Sequence, residues 1–381
     1  MNDNAHGFLV APAGLKGLIV ADTTIGSVQG GEGFYHYRQY DAVDVARHHT
    51  FEEAAALLLD GDLTASEADL RAELGLGRQL DPSTGAALFD LAGGAPTPLA
   101  GLRAGLSLVA ADVPTVDQTA DQRRREAVRL VAVTPTILAG LHRRAAGRPV
   151  IPADPGLRIA ADYLRMVTGS VPRAELVRAV EIYLILTAEH GFNASTFTAR
   201  VVTSTGASMG AALTAAVGAL SGPLHGGAPS RVLDMIEDIG DPAGTETWAR
   251  RRVDTGQPIM GFGHAVYRAD DPRSALLREV AVGLGGPLVD RALEIEQRML
   301  RFLAGWKPQA TLVTNVEFYA AVVLHLAGIP QEMFTPTFTV SRMVGWSANV
   351  LEQAADNKII RPDARYVGPT PSRAVLSASE G

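Results

Sequence analysis

The sequence predicts a mainly α-helical protein, and three observations carry that prediction. Segments with apolar residues at helical spacing follow one another from residue 51 to residue 353, each bounded by Gly, Pro, Asp or Ser. No series of apolar strands alternates with them, which argues against a doubly wound parallel sheet. Only residues 14–40, GLKGLIVADTTIGSVQGGEGFYHYRQY, mix β-branched and aromatic residues with Gly pairs, so a few short strands and turns belong at the N-terminal end.

After those strands the pattern predicts helices over 51–60 (FEEAAALLLD), 66–77, 82–92, 97–110, 121–145, 156–168 and 172–189. The Gly/Pro-rich segment AAGRPVIPADPG, 145–156, reads as a surface connection. The second half predicts a helix over 203–221, then one over 229–239, with Pro229 at its start and Gly240 behind its end, as helix termini prefer. Further helices fit 244–255, 272–284, 286–304, 315–327 and 336–353. The tail after Pro369 is small and polar and is expected to be extended or frayed.

A chain of 381 residues has the length of two domains or one large one. Its 47% apolar and 20% charged residues exclude global disorder. Lys+Arg 34 against Asp+Glu 41 leaves a net charge of −7, so no cationic field favours nucleic acid. The absence of cysteine excludes a disulfide framework, thiolate nucleophiles and Cys-ligated metals. The N-terminus lacks a cationic start followed by an apolar core, so a cytoplasmic protein is expected. No Asp, Glu, Lys or Arg lies between Arg200 and Arg231, a length that could span a bilayer. Its recurrent Ser, Thr and Gly suit a tightly packed buried helix instead, and no membrane association is expected.

Three of nine histidines sit in turn-rich segments just ahead of a helix: His190 in HGFNAST, His225 in SGPLHGGAPS and His264 in GFGHAVYRADDPR. Gly226-Gly227 lets the backbone approach a ligand, and the helix starting near Pro229 turns its positive end toward His225, favouring a neutral, hydrogen-bonding imidazole. HExxH is absent and no two of the three are spaced i, i+4, so no metal site is expected. Gly261-Phe262-Gly263 lacks a strand–helix dinucleotide context and reads as a way to keep amides open beside His264. Glu317 has two readings. Thr314-Asn315-Val316-Glu317 matches a capping box, with Glu at its third helical position; alternatively the carboxylate is a base. Arg273, Arg342 and Arg361 sit among apolar or turn residues, where an Arg either pairs internally or grips a ligand's carboxylates.

The segments HGFNASTFTARVV, GALSGPLHGGAPSRVL, IMGFGHAVYRADDPR, TNVEFYAAVVLHLAG, FTPTFTVSRMVGWSANVLEQ and NKIIRPDARYVGP, in this order and spacing, closely resemble citrate synthase. The N-terminal GLKGLIVADTTIGSVQGGEGFYHYRQY extends the likeness over nearly the whole chain. The resemblance is to the shorter bacterial form shared by citrate synthases and 2-methylcitrate synthases. It departs at Glu317, where the family usually has Asp in NVDxxSG, and at Ala320-Ala321 in place of the Ser-Gly pair.

The resemblance implies a helical homodimer, each chain with a large domain (1–226 and 327–381) and an inserted small domain (227–326), the active site lying in the cleft. It also implies that His225 hydrogen-bonds the thioester carbonyl of an acyl-CoA, that His264 polarises the ketone of oxaloacetate, and that Glu317 is the base. His190, Arg273, Arg342 and Arg361 would hold carboxylates, with one further Arg possible from the partner subunit. Pro258, Ile259, Met260, Gly261 and Arg268 match the coenzyme A contact region. No cofactor is implied beyond the coenzyme A that enters as substrate. These residue types suit the chemistry, because removing a proton beside a thioester needs a positioned carboxylate and a donor at the developing enolate oxygen. Three readings remain at this level: a citrate synthase using acetyl-CoA, a 2-methylcitrate synthase using propionyl-CoA, and a non-catalytic homologue that binds oxaloacetate or citrate. The first two share every residue named and differ by one methylene, worth about 1–3 kcal/mol in a pocket.

Overall fold

The computed structural model describes residues 9–369 except 64–66, 227, 264–266, 268, 311 and 357. It opens with a three-stranded antiparallel sheet in the order β1-β2-β3: β1 (Gly26–Gln29), β2 (Phe34–Tyr37) and β3 (Tyr40–Asp41). Val28 pairs with Tyr35 and Gly26 with Tyr37. Alternation along β2 sends Tyr35 and Tyr37 into the core, where their hydroxyls donate to the carbonyls of Leu186 (3.1 Å) and Ile185 (2.6 Å). The hairpin thereby braces the C-terminal end of a later helix.

Among the described residues sixteen α-helices follow. They are α1 (Ala42–His48), α2 (Phe51–Asp60), α3 (Glu67–Gly77), α4 (Pro82–Ala92), α5 (Pro98–Val109), α6 (Ala120–Ala145), α7 (Ile159–Thr168) and α8 (Ala174–Thr187). Next come α9 (Ala194–Ser204), α10 (Met209–Leu220), α11 (Ala228–Ile239), α12 (Thr245–Asp254), α13 (Pro272–Leu284), α14 (Pro287–Trp306), α15 (Val316–Leu326) and α16 (Phe334–Asp356). The mainly helical class and the short N-terminal strands are as the sequence predicts. Among the described residues no helix is long and apolar enough to cross a membrane.

Two local differences have plain causes. The sequence reading passes over α1, a seven-residue helix too short to show periodicity, started by the Asp41 carboxylate accepting from the Val43 and Asp44 amides. The segment expected as one helix over 203–221 holds the end of α9 and all of α10. Gly206 at φ +80° takes the chain out of the first, and the Ser208 hydroxyl caps the second at Ala211 N.

The long α6 and α16 form the spine. α16 packs on α6, α9, α2, α8 and α10, which explains why Trp346, Met343 and Val344 are fully buried. Helices α11 to α15 pack chiefly on one another, α13 and α11 against α15 and α12 against α14, and meet the remainder through α8, α16 and α1. The connections at that boundary are laced by side chains: Gln331 Nε2 donates to Ser230 O (2.7 Å) and Asp234 Oδ1 (2.6 Å), and Thr335 Oγ1 donates to Gly226 O (2.7 Å).

Candidate active site

A cavity of about 1000 Å³ opens where the N-terminal ends of α9, α13 and α15 converge on α16, and its lining includes Glu189, His190, His225, Arg273, Glu317 and Arg342. Three helix N-termini at one cavity favour an anionic ligand. Six residues separated by more than 150 positions in the chain come together here.

His190 stands in the turn between α8 and α9, which Gly191 makes possible at φ +65° and which Asn193 ends by capping Thr196 N (3.1 Å). Its Nε2 lies 3.0 Å from the Tyr267 hydroxyl, and its ring packs on Tyr35 and Tyr267. His225 lies in the turn after α10, with Nε2 2.8 Å from Ser195 Oγ. That hydroxyl also accepts from Trp346 Nε1 (3.1 Å) and lies 2.7 Å from Asn193 Oδ1. Burial, and then the charge of Arg342, hold His225 below the ordinary histidine value, so it is neutral at pH 7.

Glu317 sits one residue deeper than the helix start, and the capping box does not form. Thr314 is drawn into an antiparallel bridge with Phe262, leaving Asn315 as the cap, with Oδ1 accepting from Glu317 N (3.1 Å). Glu317 is thus at the second helical position and cannot reach back as a box requires. Its carboxylate is left for other work: Oε2 has no hydrogen-bond partner among the described residues. Burial pushes Glu317 up from 4.5 to about 7, opposed chiefly by Arg273. Asn315 also fixes the neighbouring strand-like segment, through its N–H to Gly261 O (2.9 Å) and its Nδ2 to Gly263 O (2.9 Å). A side chain at Gly261, φ +81°, would meet Phe318 at 2.9 Å.

The two buried arginines are held differently. Arg273 is gripped by Asp271, whose Oδ1 accepts from Arg273 N (3.1 Å) and Nε (2.9 Å) and whose Oδ2 accepts from Nη2 (2.8 Å) and from Val316 N (3.0 Å). Burial opposes the charge on Arg273, and Asp271 overrides it, raising the guanidinium above its ordinary value. One carboxylate therefore starts α13, orients Arg273 and ties down the first amide of α15 beside Glu317. Arg342 donates from Nε to Thr187 O (2.9 Å), stacks over Phe338 and makes no ion pair among the described residues; burial lowers it.

Of the residues predicted from sequence, His190, His225, Glu317, Arg273 and Arg342 line this cavity. His264 and Arg268 lie outside the described residues. Arg361 is exposed in the extended segment after α16 and does not line the cavity of its own chain. Pro258 is exposed, Ile259 and Met260 are half-buried and Gly261 is buried, on the segment that leads to Gly263 in the cavity wall. Sequence reasoning passed over Asp271, Ser195, Glu189 and Asn349. For Asp271 a signal existed, since Asp-Pro-Arg is a helix start; for the others the partners are distant in sequence.

A helical body whose cavity gathers a buried carboxylate, a neutral imidazole and two buried arginines has the residue types of an enzyme that forms carbanions beside carboxylate-bearing ligands. The family description "Citrate synthase, C-terminal domain" matches residues 14–363. The chain is 37% identical to a citrate synthase of Haloferax volcanii, over 93% of this chain and 95% of that one. It is 40% identical to a 2-methylcitrate synthase of Mycobacterium tuberculosis, over 93% and 90%. Its structure is similar to citrate synthase of Thermoplasma acidophilum, solved as a ternary complex with carboxymethyl coenzyme A and oxaloacetate, at a TM-score of 0.86 and 26% identity, covering 97% of this chain and 99% of that one. The chain belongs to the citrate synthase family, a family of acyltransferases.

Proposed function

We propose that this chain condenses acetyl-CoA with oxaloacetate and hydrolyses the resulting citryl-CoA to citrate and free CoA. The observation that carries the reading is one cavity holding Glu317, with an oxygen that has no partner among the described residues, neutral His225, and Arg273 and Arg342. Glu317 removes a proton from the acyl methyl group, and its raised pKa matches it to work near neutral pH. The electrons move onto the thioester oxygen, where His225 donates a hydrogen bond. Ser195 holds the His225 ring through Nε2 (2.8 Å), its own hydroxyl donating to Asn193 Oδ1 and accepting from Trp346 Nε1. The enolate carbon attacks the ketone carbon of oxaloacetate, whose carboxylates Arg273 and Arg342 hold, and the ketone oxygen takes up a proton. By family resemblance His264 polarises that ketone. Water then attacks the thioester carbonyl and CoA leaves as the thiol.

The same reading makes residues 227–326 a small domain that closes on the remainder, and the protein a homodimer. Arg361, outside its own chain's cavity, then serves the site of a second copy. The 40% identity to a 2-methylcitrate synthase favours propionyl-CoA as the second acyl donor to test. A thiol-release assay with oxaloacetate decides: a higher kcat/KM for acetyl-CoA supports the reading, a higher value for propionyl-CoA replaces it with 2-methylcitrate synthesis, and no thiol release with either removes the enzyme reading.

A further inference from the structure

The cavity holds a second buried carboxylate for which the condensation has no use. Glu189, only 4% exposed, ends the connection from α8 and precedes His190 in the cavity wall. Its Oε2 accepts from Asn349 Nδ2 (3.2 Å), and its backbone N–H donates to the Tyr37 hydroxyl (3.3 Å). α16 comes close enough that a side chain on Gly345 would lie 2.3 Å from that same Oε2.

The charges around Glu189 are unevenly matched. From α9, Arg200 donates through Nε to Asn349 Oδ1 (2.9 Å) and already has Glu352 as its own ion-pair partner. From α16, Arg342 has no ion pair among the described residues, and Glu189 is the first group supporting its charge. Tyr37 faces Glu189 from β2, His190 follows it, and Glu317 and Arg273 share the cavity from α15 and α13. A buried guanidinium needs a counter-charge, and among the described residues lining this cavity Glu189 is the carboxylate that most supports the charge of Arg342. A bound oxaloacetate brings a carboxylate of its own to Arg342. Two carboxylates then crowd one cation in a dry site, and the mutual repulsion favours a proton on one of them.

We propose that Glu189 is a positioning residue that acts as the resting counter-charge of Arg342 and takes up a proton from solvent when oxaloacetate binds. Burial has already brought Glu189 to about 7, against the pull of Arg342 and of the His190 and Gly191 backbone N–H groups, so a modest further push completes its protonation. Binding therefore tightens as pH falls through neutrality and weakens above it, by up to about tenfold per pH unit until the bound-state value is passed. The proposal rests on oxaloacetate as the ligand.

The test is calorimetry of oxaloacetate binding to the full chain at pH 7 in PIPES and in Tris, whose ionisation heats differ. The expected result is uptake of about half a proton, because a group titrating near 7 is half charged before binding. Glu189→Gln should lower that uptake and flatten the pH dependence of the oxaloacetate Kd, while Glu189→Asp, which keeps the charge, should restore both. Glu317→Gln should retain the uptake, which separates the two carboxylates. Buffer-independent heat in the parent protein overturns the proposal without any variant, as does an unchanged uptake in Glu189→Gln or a loss of uptake in Glu317→Gln instead. The absence of any binding heat would remove the ligand itself, and with it this inference and the oxaloacetate reading together.

Discussion

Replacing Glu317 by Gln separates a base from a helix cap by two readouts of opposite sign. As a cap, the side chain would contribute about 0.5–2 kcal/mol, lost on substitution. Among the described residues Oε2 instead has no hydrogen-bond partner, and the helix is capped by Asn315. Burial raises Glu317 from 4.5 to about 7. An acid whose folded value lies above its unfolded value destabilises the fold when charged: the cost is absent below the unfolded value, grows as pH rises through this window, and is complete above about 7. A difference of that size corresponds to about 3 kcal/mol as an upper bound. Glu317→Gln should therefore unfold at equal or higher denaturant at pH 8 and little differently at pH 4. Turnover should fall about 10²–10⁴-fold, because the amide cannot accept the acyl proton. In the parent protein kcat/KM for the acyl-CoA at saturating oxaloacetate should rise with pH through about 7 as the base ionises; in the Gln variant that limb should vanish. Glu317→Asp withdraws the carboxylate by roughly 1 Å and should cost on the order of 10²-fold. Thiol release across pH and urea melts at pH 4 and 8 provide the measurements. A Gln variant with near-parental turnover would refute the assignment, and one that is less stable at pH 8 would restore the cap.

Three further outcomes follow from the cavity. Arg342→Leu should raise the oxaloacetate KM by about 10- to 100-fold, the equivalent of a charge-assisted bond, while the thermal unfolding temperature changes little at about pH 5, where Glu189 is protonated, and falls above about pH 7, where Glu189 is left charged without Arg342. Asp271→Asn removes the counter-charge of the buried Arg273 and should cost about 3 kcal/mol in urea unfolding, together with a raised oxaloacetate KM. Gly345→Ala would place a methyl group 2.3 Å from both Ala188 O and Glu189 Oε2, so α16 must shift; the expected loss is about 1–3 kcal/mol by denaturant melts.

Local signals were legible. Thr50 and Glu53 form a capping box at the start of α2, Asp81 and Pro82 open α4, and Gly240 at φ +62° follows α11, all within a residue or two of where spacing and end chemistry place them. Signals failed where a neighbour in space outbid a neighbour in sequence. Thr314 matches a cap, but the bridge to Phe262 takes its backbone, and Asn315, tied to Gly261 and Gly263, caps instead. The stretch from Arg200 to Arg231 reads as one uncharged run, yet Gly206 and Ser208 divide it into two helices.

By itself the sequence determines the helical class, most helix limits and, through residues in long ordered segments, the family, because these depend on contacts within a few residues or on chemistry written directly as residue type. His190, His225, Arg273, Glu317 and Arg342 could be named from it as participants. Only the tertiary structure decides what each can do. It frees the Glu317 carboxylate from capping, sets Ser195 on His225, clamps Arg273 with Asp271 and leaves Arg342 to face Glu189. It also keeps Arg361 out of the cavity of its own chain. The physical reason is range: caps and periodicity act over one or two helical turns, whereas desolvation and charge coupling act between side chains that only packing brings together.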